Sequence, residues 1–459
     1  MSLGPDAFEI MVGHLQALIR IPTVNPPGGE TAAATYLAGV LDDAGLAPDV
    51  VEGHPGRGNV VARLHGDGTG GDPLLLLCHL DVVPVEAEGW TQDPFGGAIV
   101  DGYVYGRGAV DMKGTAAMQL QVVLELAAEA RAAHRGPAHD AVPGLRRDVI
   151  FAATADEEAG GLAGIGWIVE QRPELLQAAA CLTEAGGMSL ELGGARFYPL
   201  GVAEKGFHRL RLTVHGHGGH GSVPRDDNAA VLAARIVERL GAPLPRSVTP
   251  LMAHALLEIA AARPALSAPI GTILGPDERA SQRAIARLCR PSEARALRAL
   301  LRDSISPTIV RAGFKDNVIP GSAEVTVDIR QVPGHDRQDV LHAVAAHLGP
   351  DLWSRCSVEE LIHGEPLEQP LDHPLLALLA AALERADPDA IPLPIMAPFG
   401  TDAKHTVRLG IPTFGFSPLR LDPEERFLDR FHGDDERVGL DALRFGLPLL
   451  DEVVRAYCA

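Results

Sequence analysis

This chain is short of positive charge. Its 40 basic residues face 60 acidic ones, a formal net charge of −20, and only four of the 40 are lysine (Lys113, Lys205, Lys315 and Lys404). A chain this acidic is repelled by nucleic acid and by anionic membrane, so neither is expected as a partner. Cysteine is also sparse. Cys78, Cys181, Cys289, Cys356 and Cys458 are odd in number and show no CxxC spacing. They read as buried free thiols in a reducing compartment rather than as a disulfide framework. No apolar run approaches the length of a membrane span. The first twenty residues lack a basic start followed by an apolar core, so a cytoplasmic protein is expected.

What remains is an ordinary globular composition, 46% hydrophobic and 22% charged over 459 residues. That length exceeds what one hydrophobic core usually serves, so two domains are expected. Apolar strand-like runs alternate with helical patterns up to about residue 202. This is the texture of a mixed, mostly parallel sheet sandwiched by helices. From about 203 the texture changes. Leu210, Leu212 and Val214 alternate with polar neighbours, as do Val325, Val327 and Ile329, and helical stretches lie between them. A small α+β domain with one buried sheet face accounts for that pattern. The α/β texture returns after Pro366. The reading is therefore an α/β domain over 1–202 and 367–459, with an α+β domain inserted over 203–366.

The chemistry gathers at strand ends. Leu74 to Cys78 is an unbroken apolar run, read as a strand buried on both faces. His79 and Asp81 follow, two apart and hence on one side of an extended chain. Asp111 follows the Gly106-Arg107-Gly108 loop and precedes a helix over 115–130. Asp156, Glu157 and Glu158 close the strand over 148–155, three consecutive acids that need solvent or a cation. Glu184 closes the strand over 179–183. Ligands of open α/β sheets bind beyond the carboxyl ends of the strands, which is where these residues fall. With His432 near the C-terminus, the two imidazoles (His79, His432) and three carboxylates (Asp111, Glu158, Glu184) suit two Zn²⁺ ions sharing one carboxylate. Mn²⁺ or Co²⁺ would suit the same donors. Zinc lowers the pKa of a bound water to about 7, and a second ion can polarise a carbonyl.

HLD at 79–81, GRGAVDMKG at 106–114, DEEAGG at 156–161, TEAGG at 183–187, GGHGSVP at 218–224, NVIP at 317–320, DIR at 328–330, GTDAKH at 400–405 and HGDDERV at 432–438 occur in one order. In that order they resemble the co-catalytic zinc peptidases that include aminoacylase, carboxypeptidase G, carboxypeptidase S, acetylornithine deacetylase and succinyl-diaminopimelate desuccinylase. The resemblance implies that His79 and Glu184 hold one zinc, Glu158 and His432 the other, and that Asp111 bridges them before a cis peptide to Met112. It implies Asp81 as the carboxylate orienting the His79 ring and Glu157 as the general base. Adjacent side chains on an extended backbone diverge, which would let Glu157 and Glu158 take different duties.

The same resemblance implies that the inserted domain is a ferredoxin-like lid and homodimer surface. His220 would then stabilise the oxyanion, Arg330 and Asn317 would hold the substrate, and Gly400 and Thr401 would touch it. His405 is a further candidate for approaching substrate. His215 and His217, an HxH at a strand end, read as ordinary polar residues. The implied activity is metal-dependent hydrolysis of the amide of an N-acyl amino acid or short peptide with a free carboxylate. The alternatives are a dipeptidase or aminopeptidase of the same family, which would want an acidic pocket for a free amine, and a non-catalytic binding homologue.

Overall fold

A computed structural model describes residues 3–133, 141–192, 194–425 and 427–459. The loop expected over 134–147 lies partly outside them. The chain forms two compact units. The first comprises 1–202, 369–395 and 401–459; the second comprises 203–368 and 396–400. No described helix is long and apolar enough to cross a membrane.

The first unit is built on a mixed sheet with strand order 49–52, 58–64, 149–154, 74–79, 180–183, 413–415, 195–204. Its centre is parallel: 74–79 pairs with both 149–154 and 180–183, and 413–415 pairs with 180–183. Every residue of Leu74–His79 and of Val149–Thr154 is buried. That is the burial a parallel strand covered on both faces requires, and it explains the unbroken apolar runs. On one face Leu75, Leu77, Ile150 and Ala152 pack with Ile165 and Ile168 of the helix Ile165–Gln171. The helices Lys113–Ala133 and Leu440–Cys458 cover the other. The parallel strands run in one direction, so His79, the 156–158 turn and Glu184 emerge together at one sheet edge.

The second unit carries a four-stranded antiparallel sheet in the order 304–312, 322–331, 206–215, 356–364. Leu210, Leu212, Val214, Val325, Val327 and Ile329 point into a core completed by Leu232, Ile236 and Leu240 of the helix Ala229–Leu240 and by Val340, Val344 and Leu348 of the helix Arg337–Trp353. The alternation read from sequence is this one buried face. The strand Ser304–Ala312 carries no such signal, because it lies at the sheet edge with most residues exposed or half-exposed and with Pro307 within it.

Candidate metal centre

Three local devices aim the first-unit site residues. The first is Asp81, fully buried at the end of the central strand. Its Oδ1 accepts the N–H of Glu157 at 3.0 Å, and its Oδ2 accepts the N–H of Glu158 at 3.0 Å and the Asn25 amide at 2.8 Å. The second is a left-handed turn. Asp156 has φ 74°, and Glu157 to Ala159 form one 3₁₀ turn. This corrects the sequence reading, in which Glu157 and Glu158 diverge along extended backbone; they diverge because the chain turns. Asp156, Ala185 and His432 all have positive φ without being glycine. Such residues cost about 1–3 kcal/mol each and cluster where neighbouring structure holds a site. The Asp156 carboxylate anchors its turn through the Ala163 N–H at 2.9 Å and a close pair with Arg57.

The third device is Glu436, fully buried. Its Oε1 accepts the N–H groups of Val110 at 2.8 Å and Asp111 at 3.1 Å, while its Oε2 pairs with Arg107 at 2.7 Å. Glu436 thereby holds the loop that presents Asp111. Sequence reasoning passed over it inside HGDDERV, and over Asn25 inside a turn-rich stretch. Neither residue has a local signal, since their partners lie far away in the chain.

His79 Nδ1 lies 3.0 Å from the Asp81 carbonyl oxygen and 3.5 Å from its Oδ1. The carbonyl can only accept, so Nδ1 carries a hydrogen and Nε2 is the nitrogen an ion would take. The backbone oxygen is thus nearer to the ring than the carboxylate expected to orient it. Nε2 lies 3.1 Å from Asp111 Oδ1 and 3.7 Å from Glu184 Oε1. His432 Nε2 lies 3.2 Å from Asp111 Oδ2 and 3.3 Å from Glu158 Oε2. Asp111 therefore offers one oxygen to each imidazole. Donor atoms of His79, Glu157 and Glu184 converge within 4.8 Å, as do those of Asp111, Glu158 and His432. Glu158 Oε1 is buried without a hydrogen-bond partner among the described residues. The Asp111–Met112 peptide is cis.

The electrostatics are those of like charges gathered together. Burial, then the nearby Asp111 carboxylate, push Glu184 well above the usual carboxylate range. Burial pushes Glu158 up as well. Burial opposes the charge on His79, yet Glu184 and Asp111 raise its pKa well above normal. Hydrogen bonds that its ring donates to Asp111 and Glu158 raise His432 to about 10. Asp111 is held low by the two imidazoles despite its burial. A divalent cation replaces this proton sharing, because it stabilises carboxylates and neutral imidazoles together. The donor set and the orphaned Glu158 oxygen fit such ions.

The first unit also places Lys404 Nζ 3.3 Å from Glu157 Oε1. Thr401 is buried and accepts the Ala403 N–H at 3.1 Å. His405, a candidate for approaching substrate, is turned into the protein. It is buried, with Nε2 donating to the Gly160 carbonyl at 2.9 Å, and burial lowers its pKa to about 4.

The other expected residues belong to the second unit. His220 and Asn317 are neighbours in a small ribbon, where His220 pairs with Val318 and the Gly221 N–H donates to the Asn317 carbonyl at 2.8 Å. His220 Nδ1 lies 2.8 Å from Ser222 Oγ. Arg330 stands on the strand Ser322–Gln331 with Nε donating to Asp328 Oδ1 at 2.7 Å. A Cβ added at Gly400 would lie 3.7 Å from the Lys205 carbonyl oxygen. His215 and His217 hydrogen-bond Ser357 and Asp227.

A family model described as Peptidase family M20/M25/M40 matches residues 75–456, most of the chain. This chain belongs to that family. It is a metal-dependent M20 hydrolase. Among its relatives, the N-fatty-acyl-amino acid synthase/hydrolase PM20D1 of Homo sapiens is 27% identical over 463 residues, covering 96% of this chain and 86% of its own. Aminoacylase-1 of Sus scrofa is 26% identical over 470 residues, covering 99% and 97%. Two solved structures share the fold. The M20 family metallo-carboxypeptidase Sso-CP2 from Sulfolobus solfataricus superposes with a TM-score of 0.70 at 17% identity over 97% of this chain and 99% of its own. Human carnosine dipeptidase 1 gives a TM-score of 0.69 at 18% identity over 98% and 96%.

Proposed function

We propose that this M20 hydrolase cleaves the amide bond of N-acyl amino acids or short peptides with a free carboxylate, using two zinc ions. The observation that carries the reading is Asp111, with one carboxylate oxygen turned to His79 and the other to His432. That geometry suits one carboxylate serving two ions. His79 and Glu184 would hold one, Glu158 and His432 the other. Mn²⁺ or Co²⁺ would fit the same nitrogen and oxygen donors. When bound, the ions polarise the scissile carbonyl and make a water acidic.

Glu157 then has one task at two moments. Its carboxylate takes a proton from the attacking water as the carbon–oxygen bond forms. It returns that proton to the nitrogen as the carbon–nitrogen bond breaks. His220 supplies a donor where negative charge develops. Asn317, Gly400 and Thr401 line the substrate position in this reading. The second unit acts as the lid and as the surface that pairs two copies. Its edge strand Ser304–Ala312, with Ile309 and Val310 exposed, supports the pairing role.

The free carboxylate of the substrate docks on Arg330. Asp328 engages Nε at 2.7 Å and Nη2 at 3.4 Å, and in this reading Nη1 forms the charge-assisted pair with the substrate. Hydrogen bonds to charged groups contribute about 1.5–3 kcal/mol, so Arg330→Ala is expected to raise KM for an N-acyl amino acid about 10- to 100-fold. The matching N-acyl amino amide, which lacks the charge, should be turned over equally by both proteins. Steady-state kinetics on the two substrates provides the check. An unchanged KM for the free acid would point instead to an aminopeptidase that recognises an amine. The broader test is a panel of N-acyl amino acids and dipeptides assayed with Zn²⁺, Mn²⁺ and Co²⁺. Turnover of none of them would remove the proposed substrate class.

A further inference from the structure

We propose that Lys404 is a positioning residue for the general base: its ammonium holds Glu157 Oε1 so that the other carboxylate oxygen faces the water to be activated. The inference rests on the reading of Glu157 as that base. The Glu157 backbone is fixed by Asp81, which takes its N–H. Its side chain, however, projects toward a group of carboxylates that repel it, with Glu184 in the same cluster. Lys404 Nζ meets Glu157 Oε1 at 3.3 Å, and both side chains are close to buried, at 14% and 11% exposure. An ion pair screened this little from its neighbours restricts a carboxylate more than a surface pair does.

Two further contacts show that the lysine is itself built in. Its ammonium lies 3.9 Å from Asp402 Oδ1. Asp402 is buried, and its other oxygen accepts the Thr154 hydroxyl at 3.1 Å. Thr154 ends the central strand that leads into the Glu157 turn. The short helix Ala403–Thr406 is also pressed against that turn. His405 donates to the Gly160 carbonyl, and a side chain on Gly161, whose φ is 74°, would meet Asp402 Oδ1 at 2.6 Å. The element carrying Lys404 and the turn carrying Glu157 are thus locked at close range. The ammonium lies between the carboxyl groups of Glu157 and Asp402.

The test is a double-variant cycle on the metal-loaded protein with a hydrolysable N-acyl amino acid, read by kcat, KM and metal content. Lys404→Met is expected to lower kcat about 100-fold, within the span that proton transfer contributes. KM and bound metal should stay near the wild-type values, and Lys404→Arg should recover most of the loss. Glu157→Gln/Lys404→Met should be no slower than Glu157→Gln, because a group acting through Glu157 has nothing left to act upon. Lys404→Gln, which keeps a donor, replaces the methionine variant if circular dichroism shows that Asp402 cannot tolerate it. A wild-type kcat in Lys404→Met, losses that multiply in the double variant, or metal lost together with activity would each overturn the proposal. So would a rise in KM alone, which would make Lys404 a substrate contact. If Glu157→Gln itself turns over at the wild-type rate, the base assignment fails, a result distinct from all of these.

Discussion

Glu157→Gln is expected to lower kcat about 10³-fold, within the 10²- to 10⁴-fold that a positioned general base contributes. The change removes proton affinity and leaves shape. The Glu157 N–H still reaches Asp81, and Lys404 still meets a side-chain oxygen. The metal donors named above are untouched, so the variant should hold as much metal as the wild-type protein. A 10³-fold loss corresponds to about 4 kcal/mol of transition-state stabilisation. The comparison of kcat with metal content is decisive because it separates two duties the geometry leaves adjacent. Glu157 converges with His79 and Glu184 as closely as a ligand would. A ligand's loss would appear in the metal content; a base's loss appears in turnover alone.

Asp111→Ala is expected to abolish tight binding of both ions and to reduce hydrolysis to the background of the assay. His432→Ala, by contrast, is expected to cost one ion and leave the other. The difference follows from geometry. Asp111 presents separate oxygens to His79 and to His432, whereas His432 Nε2 reaches Asp111 and Glu158. A shared ligand belongs to both ions, and an unshared one to a single ion. Mass spectrometry of the metals in each purified variant distinguishes the two outcomes. Loss of one ion from both variants would remove Asp111 from the bridging position.

Much of this arrangement is legible in the sequence because it is local. Leu74 to Cys78 announces a strand covered on both faces, and the residues after a buried parallel strand reach the ligand edge of the sheet. Val325, Val327 and Ile329 announce their buried face by period alone. The supports of the site are not local. Glu436 reaches back to Arg107 and Asp111, Asn25 to Asp81, and Lys404 to Glu157. Nothing within a few residues of any of them marks the partner. The turn that carries Glu157 and Glu158 has no local signal, because aspartate rarely takes positive φ and Asp156 is held there by Ala163 and by Arg57, far away in the chain.

The scarcity of lysine has a partial physical account. Lys113 is buried with Nζ donating to the carbonyls of Leu18 and Ile21, at 3.0 and 3.1 Å. Lys205 is buried with Nζ on the Arg302 carbonyl at 2.6 Å. Lys404 stands between two acids. At Lys113 and Lys205 a compact ammonium on a thin stem fits where a planar guanidinium would not. Lys315 is exposed, and nothing in the structure explains it.

The central claim is that the first unit gathers two ions around Asp111 and hydrolyses an amide with them. Stepwise addition of Zn²⁺ to chelator-stripped protein, with hydrolysis of an N-acyl amino acid followed at each step, tests it most directly. The account predicts no turnover without metal and a maximum once two ions per chain are bound. Hydrolysis that persists without metal, or that is complete at one ion per chain, would contradict it.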